Sequence, residues 1–120
     1  MLSDPNRPLY EVKAGLFKGL AHPIRIRILE VLAASSEVSV SDLLEVVELE
    51  ASHVSQHLAV LRRNRLVVSE RRGSLVYYRL AYPQVADLLR VARALLGEIL
   101  QTTQQQLVES EGLPEIPARA

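Results

Sequence analysis

The sequence predicts a mainly α chain of the α+β kind: a winged helix-turn-helix with a two-stranded β wing, set between an N-terminal and a C-terminal helix. Three observations carry it. Residues 51–64, Ala-Ser-His-Val-Ser-Gln-His-Leu-Ala-Val-Leu-Arg-Arg-Asn, have helical periodicity with one apolar and one small polar side. A short apolar helix precedes them across a tight turn. Two β-rich runs around Gly73-Ser74 follow at once. The order helix, turn, helix, basic-tipped hairpin is more specific than any of its parts.

In the 51–64 helix, Val54, Leu58 and Leu61 fall on one stripe. Ser52, Ser55, Gln56, Ala59 and Arg63 fall opposite, with His53 on the flank. This polar side holds small hydroxyls, an amide and cations, and no acid. Such groups let a helix backbone approach a surface closely and still hydrogen-bond to it, as entry into a DNA major groove requires. An ordinary amphipathic helix would share the stripe, so the argument needs the neighbouring elements.

Length and composition set the outer bounds. At 120 residues with 48% apolar content, one domain is expected: an extended arm over 1–8, a winged helix-turn-helix over 9–107 and a disordered tail over 108–120. No apolar run is long enough to span a bilayer, and the N-terminus lacks the pattern of a secretory signal, so a soluble cytoplasmic protein is expected. Zero cysteines exclude disulfides, thiolate metal sites and cysteine nucleophiles. Net charge is zero, but residues 51–80 hold six arginines (62, 63, 65, 71, 72 and 79) against Glu70 alone, net +5. Residues 1–50 are net −3 and residues 81–120 net −2. The positive charge therefore sits on the presumed reading helix and the hairpin after it, the distribution of a local phosphate binder.

Taken in order, apolar residues at Leu9, Val12, Leu16, Phe17 and Leu20 mark a first helix. Ala21-His22-Pro23 breaks it, and Pro23 suits the first turn of a second helix, running to about Ala34. Glu37–Val40 alternates like one short strand. Ser41 or Asp42, with Glu45 completing a capping box, is the expected start of a third helix. Glu48-Leu49-Glu50 turns into the 51–64 helix. Leu66–Arg71 and Leu75–Leu80 form the hairpin, tipped by Arg72-Gly73-Ser74. Tyr77 and Tyr78 alternate faces, so one should be core and the other near solvent. After Pro83 a last helix runs to about residue 107, and its stripe of Val85, Leu88, Leu89, Ala92, Leu95, Leu96, Ile99 and Leu100 is wide enough to meet another chain.

The motifs Leu20-Ala21-His22-Pro23-Ile24-Arg25-Ile26-Arg27-Ile28-Leu29, Val54-Ser55-Gln56-His57-Leu58-Ala59-Val60-Leu61 and Arg72-Gly73-Ser74-Leu75-Val76-Tyr77-Tyr78-Arg79-Leu80 resemble the ArsR/SmtB family of bacterial winged-helix transcription regulators. The resemblance spans about residues 9–100. It implies a homodimer joined by the first and last helices, through Leu16, Leu88, Ala92, Leu95, Leu96 and Ile99. It also implies double-stranded DNA with a palindromic operator as partner. DNA contacts are then expected from Ser52, His53, Ser55, Gln56, Arg62 and Arg63 of the reading helix and from Arg71, Arg72, Gly73 and Ser74 of the wing. Most members of the family repress, and are released by an effector that is often a metal; the chain itself leaves activation open.

The departures from the family bear on the effector. Its thiolate stretch reads Glu-Leu-Cys-Val-Cys-Asp-Leu; here Glu37-Val38-Ser39-Val40-Ser41-Asp42-Leu43 puts serines at both cysteine positions, and a neutral hydroxyl is a poor ligand for a soft metal. The family's other site needs an Asp and a His two apart on the last helix, but the residue two on from Asp87 is Leu89 and that helix has no histidine. His53 and His57, four apart, fit packing and DNA roles better than a metal pair. His22 remains as a candidate nickel or zinc ligand, with an N-terminal acid and a residue of the partner chain, or else as a local helix cap. Sensing could equally lie with an organic ligand or a partner protein. No catalytic set or glycine-rich phosphate loop occurs, so an enzyme is not expected. The competing reading is a winged helix that serves as a protein-interaction module.

Overall fold

The computed structural model of the chain describes residues 5–111. In chain order these are α1 (Leu9–Leu20), α2 (Pro23–Ala33), β1 (Val38–Ser39), α3 (Val40–Val47), α4 (Ala51–Arg63), β2 (Val67–Arg72), β3 (Leu75–Leu80) and α5 (Pro83–Glu111). Residues 1–4 of the expected arm and 112–120 of the expected tail lie outside the described residues. Residues 5–7 turn and bend rather than extend, and α5 continues through residues 108–111, four beyond its expected end.

Side-chain caps fix the starts of α2 and α3. Before α2, His22 is extended (φ −156°, ψ 133°) and its Nδ1 accepts the Ile24 N–H at 3.1 Å, with Pro23 in the first turn. The cap of α3 is not Ser41 or Asp42. Ser39, still extended at the end of β1, accepts the Asp42 N–H on Oγ at 3.2 Å, so the helix springs straight from the strand and Asp42 falls in its first turn. Glu48 closes α3 in the left-handed region (φ 56°). At the end of α4, Arg65 is left-handed (φ 58°), its N–H reaches Arg62 O at 3.0 Å and the Leu66 N–H reaches Leu61 O at 3.0 Å. This is a Schellman closure without glycine; burial of Leu61 and Leu66 together offsets the strain.

The sheet is antiparallel in the order β1-β3-β2. The wing is the expected β2–β3 hairpin, with Arg72 opposite Leu75 and a two-residue turn whose Gly73 (φ +61°) meets the demand for a positive φ. Midway along β3, β1 adds a third strand, pairing Val38 with Tyr78 and Ser39 with Tyr77.

The core is built from Ile28, Leu29 and Leu32 of α2, Leu43 of α3, Val54, Leu58 and Leu61 of α4, and Leu66, Val67 and Tyr78 around the sheet. Tyr77 is half-buried, so the two tyrosines divide as expected. The stripe of α1 differs from expectation: only Leu20 is core, whereas Leu9 and Phe17 are exposed. The chain forms two compact units, one ending at Asp87 and the other beginning at Leu88, so that α5 starts in the first and continues through the second. In the second unit every described side chain from Val91 to Glu109 is exposed, apolar ones included. Among the described residues no helix is long and apolar enough to cross a membrane.

Candidate nucleic-acid interface

The helix α4 is anchored by its apolar stripe: Val54 and Leu61 are fully buried and Leu58 nearly so. That orientation turns Ser52, His53, Ser55 and Gln56 outward, and all four are exposed. Arg62 and Arg63 lie in the last turn, also exposed, where cations complement the helix dipole. All six arginines of the 51–80 segment are exposed.

Between the start of α3, α4 and the wing runs an open groove of about 480 Å³, lined by Ser41, Ser55, Arg62, Ser74 and Tyr78 among others. Four hydroxyls and a guanidinium share it. Arg62 Nη1 donates to Tyr78 Oη at 3.4 Å, which aims the guanidinium along this groove. The expected contacts Ser55, Arg62 and Ser74 are thus brought together; Ser41 joins them unforeseen, because the sequence pattern put it at a helix cap.

The wing separates its two arginines. Cross-strand neighbours share a face and successive residues alternate. Arg71, opposite Val76, therefore lies on the face that carries the buried Val67 and Tyr78. Arg72 lies on the other face with Glu70, Tyr77 and Arg79. There its Nη2 donates to Glu37 Oε2 at 2.7 Å, its Nε donates to Glu70 Oε2 at 3.0 Å, and its guanidinium sits 4.7 Å from the centre of the Tyr77 ring. The hydrogen bonds from Arg72 hold the Glu37 carboxyl below the usual carboxylate range. Glu37 had no place in the sequence-derived site, since nothing local to it tells that β1 pairs with the wing.

On the inner side of α4, His57 is half-buried rather than outward. Its ring lies 4.2 Å from that of His22, and Arg25 Nη1 stands 3.4 Å from its Nδ1. Arg25 in turn donates from Nε to Gly19 O at 2.7 Å, so one guanidinium ties the end of α1 to α4. Burial, with His22, Arg25 and His53 nearby, holds His57 below the usual imidazole range. Gly19 allows this approach: a Cβ there would stand 2.8 Å from Asn64 Cγ.

As a metal ligand His22 has its Nδ1 occupied by the Ile24 amide. Among the described residues no three His, Cys, Asp or Glu side chains converge to hold an ion. Ser39 Oγ is likewise engaged, by the Asp42 amide. Of the expected dimer residues, Leu16 and Leu88 are half-buried, while Ala92, Leu95, Leu96 and Ile99 are exposed.

Comparison with known proteins matches residues 22–69 to the family model described as bacterial regulatory protein, arsR family. The chain is 49% identical over 96 residues to the uncharacterized HTH-type transcriptional regulator Rv0081 of Mycobacterium tuberculosis, covering 79% of this chain and 83% of that protein. The crystal structure of Rv0081 superposes with a TM-score of 0.75 at 47% identity, over 82% of this chain and 98% of that one. The HTH-type transcriptional repressor SmtB of M. tuberculosis is 35% identical over 96 residues, 80% of this chain and 70% of that protein. A solution structure of the homodimeric winged helix-turn-helix DNA-binding domain Mb0332 of Mycobacterium bovis, described as a possible ArsR-family transcriptional regulator, gives a TM-score of 0.69 at 29% identity, over 82% and 92% of the two chains.

Proposed function

The chain belongs to the ArsR family of bacterial regulatory proteins, and from that premise we propose that it is a homodimeric, sequence-specific DNA-binding regulator of transcription rather than an enzyme. The observation that carries the reading is the outward face of α4. Ser52, Ser55 and Gln56 stand exposed opposite a buried stripe, inside a segment of net charge +5 in a chain of net charge zero. In this reading Ser55 and Gln56 meet base edges. Ser52, His53, Arg62 and Arg63 flank them, and Arg71, Gly73 and Ser74 carry the wing to the phosphate backbone.

Two copies related by a two-fold axis would read a palindromic operator, and the homodimeric Mb0332 domain supports that assembly. Repression is the sign the reading carries, because the related M. tuberculosis SmtB is named a repressor. A winged helix used only for protein contacts is not favoured, since the relatives are regulators of transcription.

The test starts from a duplex that the native protein selects from a randomised pool. Glutamine pairs with adenine N6 and N7, a contact that discriminates by roughly 1–3 kcal/mol. Gln56→Ala is therefore expected to weaken the selected duplex about tenfold or more while leaving a mixed-sequence duplex little changed. An unchanged ratio of the two affinities would remove α4 from base readout.

A further inference from the structure

We propose that the two wing-tip arginines divide the work: Arg71 is the wing's phosphate contact, whereas Arg72 is a positioning residue, strapped by Glu37 and Glu70 so that the hairpin is held in place beside α4. The inference rests on the reading of the wing as a DNA contact, and it adds Glu37, Glu70 and Tyr77 to the machinery.

Adjacent arginines at a hairpin tip invite one role for both, but the pleat gives them opposite faces. Arg72 offers its guanidinium to two carboxylates and covers the Tyr77 ring. Glu37 is engaged through both of its oxygens. An isolated exposed ion pair contributes little, but two-pronged geometry and a second carboxylate are the conditions under which such pairs hold a conformation. The tie also spans a long stretch of chain, from the residue before β1 to the hairpin tip, so it joins the wing to the strand from which α3 springs. Any phosphate that recruited Arg72 would have to displace both carboxylates, and would leave Glu37 and Glu70 facing an anion. Arg71 has neither impediment. It is exposed, its side chain makes no hydrogen bond or ion pair among the described residues, and it lies on the face that carries Val76 and Tyr78, which line the groove beside Ser55 and Arg62.

The two roles predict opposite signs. If Arg72 were a phosphate ligand restrained by carboxylates, Glu37→Gln would release it and tighten DNA binding. As a positioning residue it loses its anchor, and Glu37→Gln and Arg72→Gln should each weaken a mixed-sequence duplex by about three- to tenfold, with the salt slope kept. In a Glu70→Gln background, where no like charge faces the new carboxylate, exchanging the charges by Glu37→Arg together with Arg72→Glu rebuilds the link between positions 37 and 72 with net charge unchanged from that background, and should return affinity to within about twofold of Glu70→Gln alone. Arg71→Ala should lower the salt slope by about one unit per subunit. Tighter binding by Glu37→Gln, no effect of Glu37→Gln or of Arg72→Gln, or an exchange variant as weak as Arg72→Gln in the same Glu70→Gln background would each overturn the positioning role. An unchanged slope for Arg71→Ala would overturn the contact assigned to it. A native protein that binds neither duplex would instead sink the DNA reading beneath the proposal. Circular dichroism of every variant confirms that the fold under comparison is the same.

Discussion

His57 shows how one residue type can be placed by the sequence and assigned by its neighbours. It sits in α4 among residues proposed to meet DNA, yet it faces His22 and Arg25. Its Nδ1 stands where Arg25 can donate to it, so the neutral imidazole suits the site and the imidazolium does not. A folded-state value below the unfolded one, near 6.5, means that the unfolded chain binds the proton more readily. The stabilising contribution is therefore complete above about pH 6.5 and is lost as pH falls through that value toward the lower folded one. Between pH 7.5 and 5.5 the urea midpoint of the native protein should fall, and that of His57→Gln, whose side-chain oxygen can still accept from Arg25, should fall less. Parallel pH profiles for the two proteins would show that His57 is not the titrating group. Gly19 belongs to the same junction, and its role is invisible in sequence: a Cβ there would have to displace the side chain of Asn64, which caps the end of α4.

At the scale of elements, periodicity located every helix and the hairpin, because burial of one face imposes a period that the chain cannot hide. Helix ends were less legible. Ser39, Ser41 and Asp42 are all competent caps by type, and the choice fell to Ser39 because β1 leaves it extended and within reach of the Asp42 amide. Ser39→Ala should accordingly cost about 1 kcal/mol in denaturant unfolding, whereas Ser41→Ala, at an exposed position, should cost much less. Equal losses for the two would return the cap to Ser41. The closures of α3 and α4 escaped notice for a related reason: Glu48 and Arg65 take the left-handed region without being glycine or asparagine. Packing of the turn holds them there, and no residue signature announces it.

For the whole molecule the decisive feature is apolar surface that one chain leaves open. On α5, Leu95 and Ile99 are 60% and 50% exposed, with Val91, Leu96 and Leu100 beside them. On α1, Leu9 and Phe17 are exposed as well. Side chains of this kind in a regular stripe are expected to be covered by a second copy. Replacing Leu95 and Ile99 by glutamate should shift sedimentation from dimer to monomer without loss of helical signal. Operator affinity should drop by about 100-fold or more, because two half-sites are then no longer engaged together. A native chain that sediments as a monomer would refute this view of α5.

The sequence by itself determined the order of elements, the stripe that buries α4, the outward Ser52, Ser55 and Gln56, and the concentration of arginine between residues 51 and 80. Each of these follows from local periodicity or composition, which a linear chain displays in full. Only the tertiary structure decided that Arg72 turns to Glu37 while Arg71 does not, that Ser41 and Ser74 share a groove with Arg62, and that His22, Arg25 and His57 meet. These are pairings between residues far apart in the chain. They depend on β1 joining the edge of β3 and on α1 closing against α4 at Gly19, and both docking geometries are set by the summed burial of many side chains rather than by the residues that finally touch.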